Sequence, residues 1–304
     1  MLALSEYYRQ KNLTMFVMLI SFMLLLTAGS VTGTYIRNMD WASEKTLWED
    51  AMNKAPGRVR PLANLATEHY KKIGDYDKAL ELYNKALTLK SHKQDFEKRI
   101  SILNNTASIW HSKGEYGKAA VIYKQILSEV PGHINAHYNI ILSLMAGGKW
   151  NEALHYADVL VSRQYIKPQY WNIRGLILLN QEKPDQAFSD FEKALEIKPG
   201  YWEALFNTAV SLSMQKKYNQ ADTLLNRTNK IRPENILNLL YLIENSLKMN
   251  DKKLTLQYIE KLFASFSIIE IKAVMNRLPG NDLYIPFSNK LLMPAVQQRL
   301  EKES

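Results

Sequence analysis

Asp75 and Asp77 flank Tyr76 in a D-x-D pattern, the arrangement with which many sugar-nucleotide transferases hold a divalent cation. The same residues suit a humbler task, with Asp77 capping a helix and Asp75 lying in the turn before it. His133 and His137 are four residues apart, a spacing that puts two imidazoles on one helix face. No third ligand stands near them, and His133 follows Pro131-Gly132 as a helix-entry residue would. Gly148-Lys149 lacks both the earlier glycine and the following Ser or Thr of a phosphate loop. No Gly-x-Ser-x-Gly nucleophile elbow occurs. These residues define no catalytic, metal or cofactor site, so the chain reads as not an enzyme, with no small-molecule substrate.

What recurs instead is asparagine. Asn64, Asn105, Asn139 and Asn207 each stand two residues before the small-residue column of a helix, at Ala66, Ala107, Ile141 and Ala209. A primary amide carries both donor and acceptor, so such a ladder could grip a peptide backbone whatever its side chains. The ladder is broken at Ile173, with Asn172 one place out of register. The competing reading has each asparagine bonding within its own hairpin. A carboxylate or phosphate clamp of facing lysines and arginines is not evident, because Lys71 and Lys72 alone do not make one.

The elements that carry these residues are repeats. From Trp171 to Pro199 the chain reads Trp171, Gly175, Ala187, Phe191, Ala194, Pro199, the spacing of a tetratricopeptide repeat. Gly175 and Ala187 let two antiparallel helices approach closely, Phe191 fills the space beside them, and Pro199 ends the second helix. Counting Pro168 as position 1, the small residue at position 20 recurs as Ala79, Ala119, Ala153, Ala187 and Ala221. Position 17 runs Tyr76, Tyr116, Trp150, Pro184, Tyr218, and position 18 runs Asp77, Gly117, Asn151, Asp185, Asn219, read as N-caps. The step from Ala79 to Ala119 is wider, and the polar run Ser91–Glu97 suits a longer loop there. A helix hairpin cannot bury its apolar face alone, so each needs neighbours.

The register continues more weakly at both ends. Trp41, Glu44, Trp48, Ala51 and Pro56 mark the second helix of a preceding unit. Leu239, Leu242, Ile259 and Leu262 mark a degenerate last unit, with Ile243 and Thr255 at its small positions. Leu278-Pro-Gly-Asn-Asp282 reads as a turn cluster, and Ala295–Glu303 as a short capping helix. The expected division is a tail over 1–12, an apolar helix over 13–36, repeats over 37–267 and capping helices over 268–304. The fold class is all-α, a right-handed superhelix of helix-turn-helix repeats.

Composition narrows the partners. The chain has 304 residues and no cysteine, which excludes disulfides and thiolate metal sites. The net charge is +9, yet the lysines are scattered rather than grouped with aromatic residues, so nucleic acid is not an expected partner. Leu13–Ile36 holds no charge and is long enough for a hydrocarbon layer of ~30 Å. A cleaved signal peptide would find only Thr27-Ala28-Gly29 as a poor cleavage site, so a single transmembrane helix is the better reading. Arg9 and Lys11 on one side balance Arg37, Lys45 and Lys54 on the other, and charge leaves the orientation open. Gly29 and Gly33, four apart beside Ala28, would let another membrane helix approach.

Two resemblances follow. The stretch Thr34-Tyr35-x-Arg37-Asn38-x-x-Trp41-x-x-Glu44-x-x-Leu47-Trp48 resembles the hinge between the last membrane helix and the repeats of transmembrane and tetratricopeptide-repeat proteins. That family comprises membrane glycosyltransferases, some mannosylating Ser or Thr, with repeats outside the cytoplasm. The resemblance implies periplasmic or lumenal repeats. Its catalytic acidic residues lie in early membrane helices, which this single-span chain does not carry. The resemblance therefore implies the tail of a longer or split protein, or a stand-alone relative that kept the anchor and repeats. The asparagine ladder resembles that of the nucleocytoplasmic protein N-acetylglucosamine transferase, which grips substrate backbone. The expectation is a membrane-anchored, non-catalytic repeat protein that binds a protein or peptide on its concave face. The alternatives are the acceptor-binding part of a membrane glycosyltransferase and a membrane-tethered cytoplasmic scaffold.

Overall fold

A computed structural model describes residues 2–89, 96–162, 167–277 and 294–299. All the regular structure among them is helical, without a strand. The chain divides into two compact units, Met1–Ile109 and Trp110–Ser304. Unit 1 holds α1 (Leu2–Asp40), α2 (Glu44–Lys54), α3 (Val59–Asn64) with its π-helical continuation Leu65–Lys71, α4 (Tyr76–Thr88) and most of α5 (Phe96–Ser112). Unit 2 holds α6 (Tyr116–Glu129), α7 (Ile134–Ala146), α8 (Trp150–Ser162), α9 (Pro168–Asn180) and α10 (Pro184–Ile197). It continues through α11 (Trp202–Met214), α12 (Tyr218–Ile231), α13 (Ile236–Lys248), α14 (Lys252–Ser265) and α15 (Ile268–Arg277).

One turn is used in every hairpin. The residue at position 15 takes a left-handed conformation each time: Gly74, Gly114, Gly148, Glu182, Lys216 and Asn250, with φ from 56° to 80°. The next residue donates its amide to the carbonyl five before it, as in Asp75 N to Tyr70 O at 2.9 Å and Lys183 N to Leu178 O at 2.9 Å. That is the Schellman closure of a helix C-terminus. The carbonyl of this same residue then accepts the first amide bond of the second helix, as Lys183 O does from Ala187 N at 3.1 Å. Position 16 is therefore the N-cap, and position 17 opens the helix.

This corrects the capping expectation. Asp75 is the cap of α4, accepting from Lys78 N at 3.1 Å, while Asp77 lies inside the first turn. Gly117, Asn151, Asp185 and Asn219 likewise lie inside their helices. Phe96 and Glu97, expected in a loop, open α5; the rest of that polar run lies outside the described residues. So do Leu278–Asp282 and the end of the expected capping helix, of which 295–299 are helical.

Packing follows the small residues. Ala79, Ala119, Ala153, Ala187 and Ala221 are all fully buried. A methyl group at Gly175 would stand 2.8 Å from Phe191 Cζ and closer still to Cε1, so glycine there makes room for the ring. In unit 2 the helices from α6 to α14 pack on one another in chain order, and α11 also touches α9 and α13. The last hairpin buries Leu239, Leu242, Ile259 and Leu262 as its pattern requires, and Ile271, Met275 and Val296 close its outer side. Arg174 ties three helices together: it grips Asp190, almost fully buried on α10, and reaches Asp158 on α8 at 3.2 Å. Burial works against its charge, but the bonds and charge of Asp190 prevail and raise its pKa.

α1 stands apart from this packing. It is exposed along its described length and, among the described residues, is the helix long and apolar enough to cross a membrane. Thr27, Ser30, Thr32 and Thr34 each donate a hydroxyl to a carbonyl one turn earlier, at 2.8–3.0 Å.

A left-handed non-glycine residue costs about 1–2 kcal/mol, partly offset by glycine's larger unfolded-state entropy. Glu182→Gly is thus expected to stabilise the protein by about 0.5–1 kcal/mol, read as a raised midpoint in urea unfolding. A lowered midpoint would show that the Glu182 side chain stabilises the turn by more than its strain.

Candidate protein-binding faces

In unit 1, α3 with its π segment faces α5 through two crossed pairs. Lys98 Nζ on α5 donates to Asn64 Oδ1 on α3 at 2.6 Å. Lys71 Nζ at the end of the π segment donates to Asn105 Oδ1 on α5 at 3.0 Å. Asn105 Nδ2 reaches Thr67 Oγ1 at 3.4 Å, and Thr67 shares a 2.7 Å hydrogen bond with the Tyr83 phenol beneath. Both lysines are half-buried. Burial alone holds the Lys71 ammonium below the usual lysine range, and burial followed by the nearby Arg60 charge does so for Lys98. The sequence pattern did not reveal this pairing, because Lys98 lies two residues ahead of position 1 of its hairpin.

In unit 2 the first helices form a cleft of ≈ 180 Å³, lined by Asn172, Leu176, Trp202, Glu203, Phe206, Asn207, Asn235 and Leu237. It adjoins a second of ≈ 350 Å³ that shares Trp202, Asn235 and Leu237 and adds Arg232, Glu234, Ile236 and Val274. The Arg232 guanidinium lies over the Trp202 ring at 5.1 Å and pairs with Glu234 at 3.2 Å. Asn207 Nδ2 donates to Asn172 Oδ1 at 2.8 Å at the side of the first cleft. Tyr201, at the N-terminus of α11, is pushed up to about 12 by burial and then by the Glu203 carboxylate.

Each expected ladder residue thus has an intramolecular partner. Asn64 and Asn105 meet lysines; Asn207 meets Asn172, the residue that broke the ladder's register. Asn139 bonds the Tyr123 phenol, which burial pushes up to about 12 against that bond. Asn64 and Asn105 share one face of unit 1, whereas α9 intervenes between Asn139 on α7 and Asn207 on α11. Gly29 and Gly33 have no other part of the chain within 4 Å of where a side chain would begin. The histidines have local tasks: His133 Nδ1 accepts from Ala136 N at 3.0 Å as an N-cap, and His137 Nε2 bonds Pro131 O at 3.0 Å. Among the described residues no three His, Asp or Glu side chains gather as metal ligands would.

Helix hairpins with a repeated turn and buried small residues make up the tetratricopeptide-repeat fold, an architecture that offers extended surfaces for binding. Models of the tetratricopeptide repeat match residues 60–93, 168–201 and 203–235. The chain is similar to a TPR repeat-containing protein of Methanocaldococcus jannaschii, MJ1428, at 26% identity over 195 residues, 60% of this chain and 33% of that protein. It is also similar to the human protein O-mannosyl-transferase TMTC1, at 25% identity over 130 residues, 43% of this chain and 14% of that protein. The chain thus spans a third or less of the length of these curated relatives. Among solved structures, a tetratricopeptide repeat protein of Parabacteroides merdae superposes with a TM-score of 0.62 at 17% identity, covering 79% of this chain and 97% of its own. YrrB, a TPR protein with an unusual peptide-binding site, does so at 0.52 and 21% identity, covering 63% and 95%. These two likenesses are of fold.

The buried Asn172–Asn207 pair makes a stability forecast. Asn207→Ala removes one bond and leaves the Asn172 carbonyl without its donor, which costs about 1–3 kcal/mol. A matching fall in the unfolding midpoint is expected, and an unchanged midpoint would show that water replaces the pair at no cost.

Proposed function

We propose that this chain is a membrane-anchored, non-catalytic repeat protein that takes an extended segment of a partner protein on the first-helix face of its repeats. The observation that supports this most is the composition of the unit 2 cleft. Trp202, Phe206, Leu176 and Leu237 offer apolar area, and an amide pair stands at their side. Asn207 keeps its carbonyl oxygen and Asn172 its amide protons for a ligand backbone. In this reading Asn207 is the rung of the ladder that opens on a cleft. Asn64, Asn105 and Asn139 would share a ligand with the partners they already hold.

Anchoring rests on α1. Its uncharged stretch spans the length a bilayer needs, and its hydroxyls are satisfied within the helix. Tyr35 and Trp41, the latter beneath the Arg37 guanidinium at 5.2 Å, suit a membrane–water interface at one end. Gly29 and Gly33 mark the face on which another membrane helix would pack. The hinge resemblance and the likeness to a protein O-mannosyl-transferase favour repeats in the periplasm or a lumen. The same likeness favours a second reading, in which the cleft presents acceptor protein to a membrane glycosyltransferase.

Partner binding is checked with a photo-crosslinking amino acid placed at Leu237 in the cleft or at Glu192 on the exposed side of α10. Adducts to a second protein are expected from position 237 and not from 192. Equal yields from both would remove the cleft from the interface, and a multi-pass transferase or its acceptor in the adduct would select the second reading.

Sidedness has a direct reporter because the chain lacks cysteine. Glu192→Cys should react with a membrane-impermeant maleimide in intact spheroplasts or inside-outward-sealed lumenal vesicles. Labelling only after lysis of spheroplasts would make the chain a cytoplasmic scaffold.

A further inference from the structure

The first helix of the first hairpin is one residue longer than its repeat allows. In each of the five later hairpins the small-residue column of the first helix stands twelve residues before that of the second, as Ala107 does before Ala119 and Gly175 before Ala187. In the first hairpin Ala66 stands thirteen before Ala79. The turn is not the source, because its left-handed residue always stands five before position 20, as Gly74 does before Ala79. The surplus therefore lies between Ala66 and Gly74, where the helix leaves α geometry for the π segment Leu65–Lys71. The first helices α5, α7, α9, α11 and α13 are α-helical throughout. A π turn bonds i to i+5 and so holds one residue more than an α turn.

Both ends of this helix are held in register, so the surplus cannot escape. Sliding it into the turn would put Ile73 in the left-handed position now taken by Gly74 at φ 80°, which a β-branched residue resists. Sliding it towards the N-terminus would replace the fully buried Ala66 by Thr67 and turn Asn64 away from Lys98, which it meets at 2.6 Å. Glu68 is the residue whose removal restores the pattern. Without it Thr67, His69 and Tyr70 fall where Ser108, Ile109 and Trp110 stand in α5, one aromatic ring replacing another. We propose that the first hairpin stores one surplus residue between two locked ends, and that the resulting π segment is a preset hinge in unit 1. The segment carries Thr67 and Lys71, whose bonds reach Tyr83 on α4 at 2.7 Å and Asn105 on α5 at 3.0 Å. Its opening releases both bonds together. Helix geometry away from α is the weaker kind, so this helix opens before its counterparts in the later hairpins.

The test is amide hydrogen exchange on the full chain in detergent micelles, with urea unfolding alongside. In the unaltered chain the amides of Thr67–Lys71 should exchange at least ~10-fold faster than those of Leu176–Asn180, the matching stretch of α9. Deleting Glu68 should slow them to the α9 rate, with an unfolding midpoint no lower than that of Glu68→Ala, which loses the side chain but keeps the count. Deleting Ser108, at the matching place of a helix without a surplus, should lower the midpoint sharply. Exchange as slow in Thr67–Lys71 as in α9 would remove the hinge, whatever the variants do to folding. A fall on deleting Glu68 as large as that on deleting Ser108 would show that no residue is in excess.

Discussion

The distance between two helices governs this protein, and a column of methyl groups sets it. The five alanines at position 20 are fully buried. Any larger group there would push the second helix of its hairpin away from the first and from the next hairpin together. Interiors are packed densely enough that such a shift is not absorbed locally. Gly175 shows the same constraint from the opposite side, since Phe191 occupies the space its side chain would need. The last hairpin departs from the rule with Thr255. Its hydroxyl bonds Asp251 O at 2.7 Å and the Ser246 hydroxyl at 2.8 Å, so the larger group enters the core with its polar atom satisfied.

Much of this was legible in the sequence because it depends on residue size at a fixed spacing. The alanine column, the apolar ends and the degenerate last hairpin all follow from which side chains fit. Capping was read two residues too late, for a physical reason. Position 16 closes one helix and opens the next through its own backbone amide and carbonyl. Lysine and glutamate therefore serve as well as aspartate there, and side-chain preference carries little information. The left-handed residue ahead of it is equally hard to read, being glycine in three hairpins and Glu182, Lys216 and Asn250 in the others.

The candidate faces were less legible. Recurring asparagines were visible as a pattern, but their partners come from residues outside the repeat's own positions. Lys98 precedes its hairpin, and Asn172 reaches Asn207 from a place that looked like a defect. Arg232, in the connection between α12 and α13, lies over Trp202 at the entrance of α11, one helix further back. Such contacts depend on how neighbouring hairpins are rotated, which a one-dimensional spacing does not encode. The D-x-D and the histidine pair showed the converse: Asp75 and His133 cap helices, and Asp77 and His137 lie within them.

The hydroxyl bonds along α1 carry a consequence for the order of events during biogenesis. A threonine or serine whose proton is committed to a carbonyl one turn back has that partner only once the turn exists. Leaving water before the helix is formed would strand four hydroxyls together with the backbone amides. Leaving afterwards strands none of them. Were α1 to enter a bilayer, as proposed above, it would have to form its helix before leaving water, and its threonines, poor helix formers in isolation, would be satisfied only in that order.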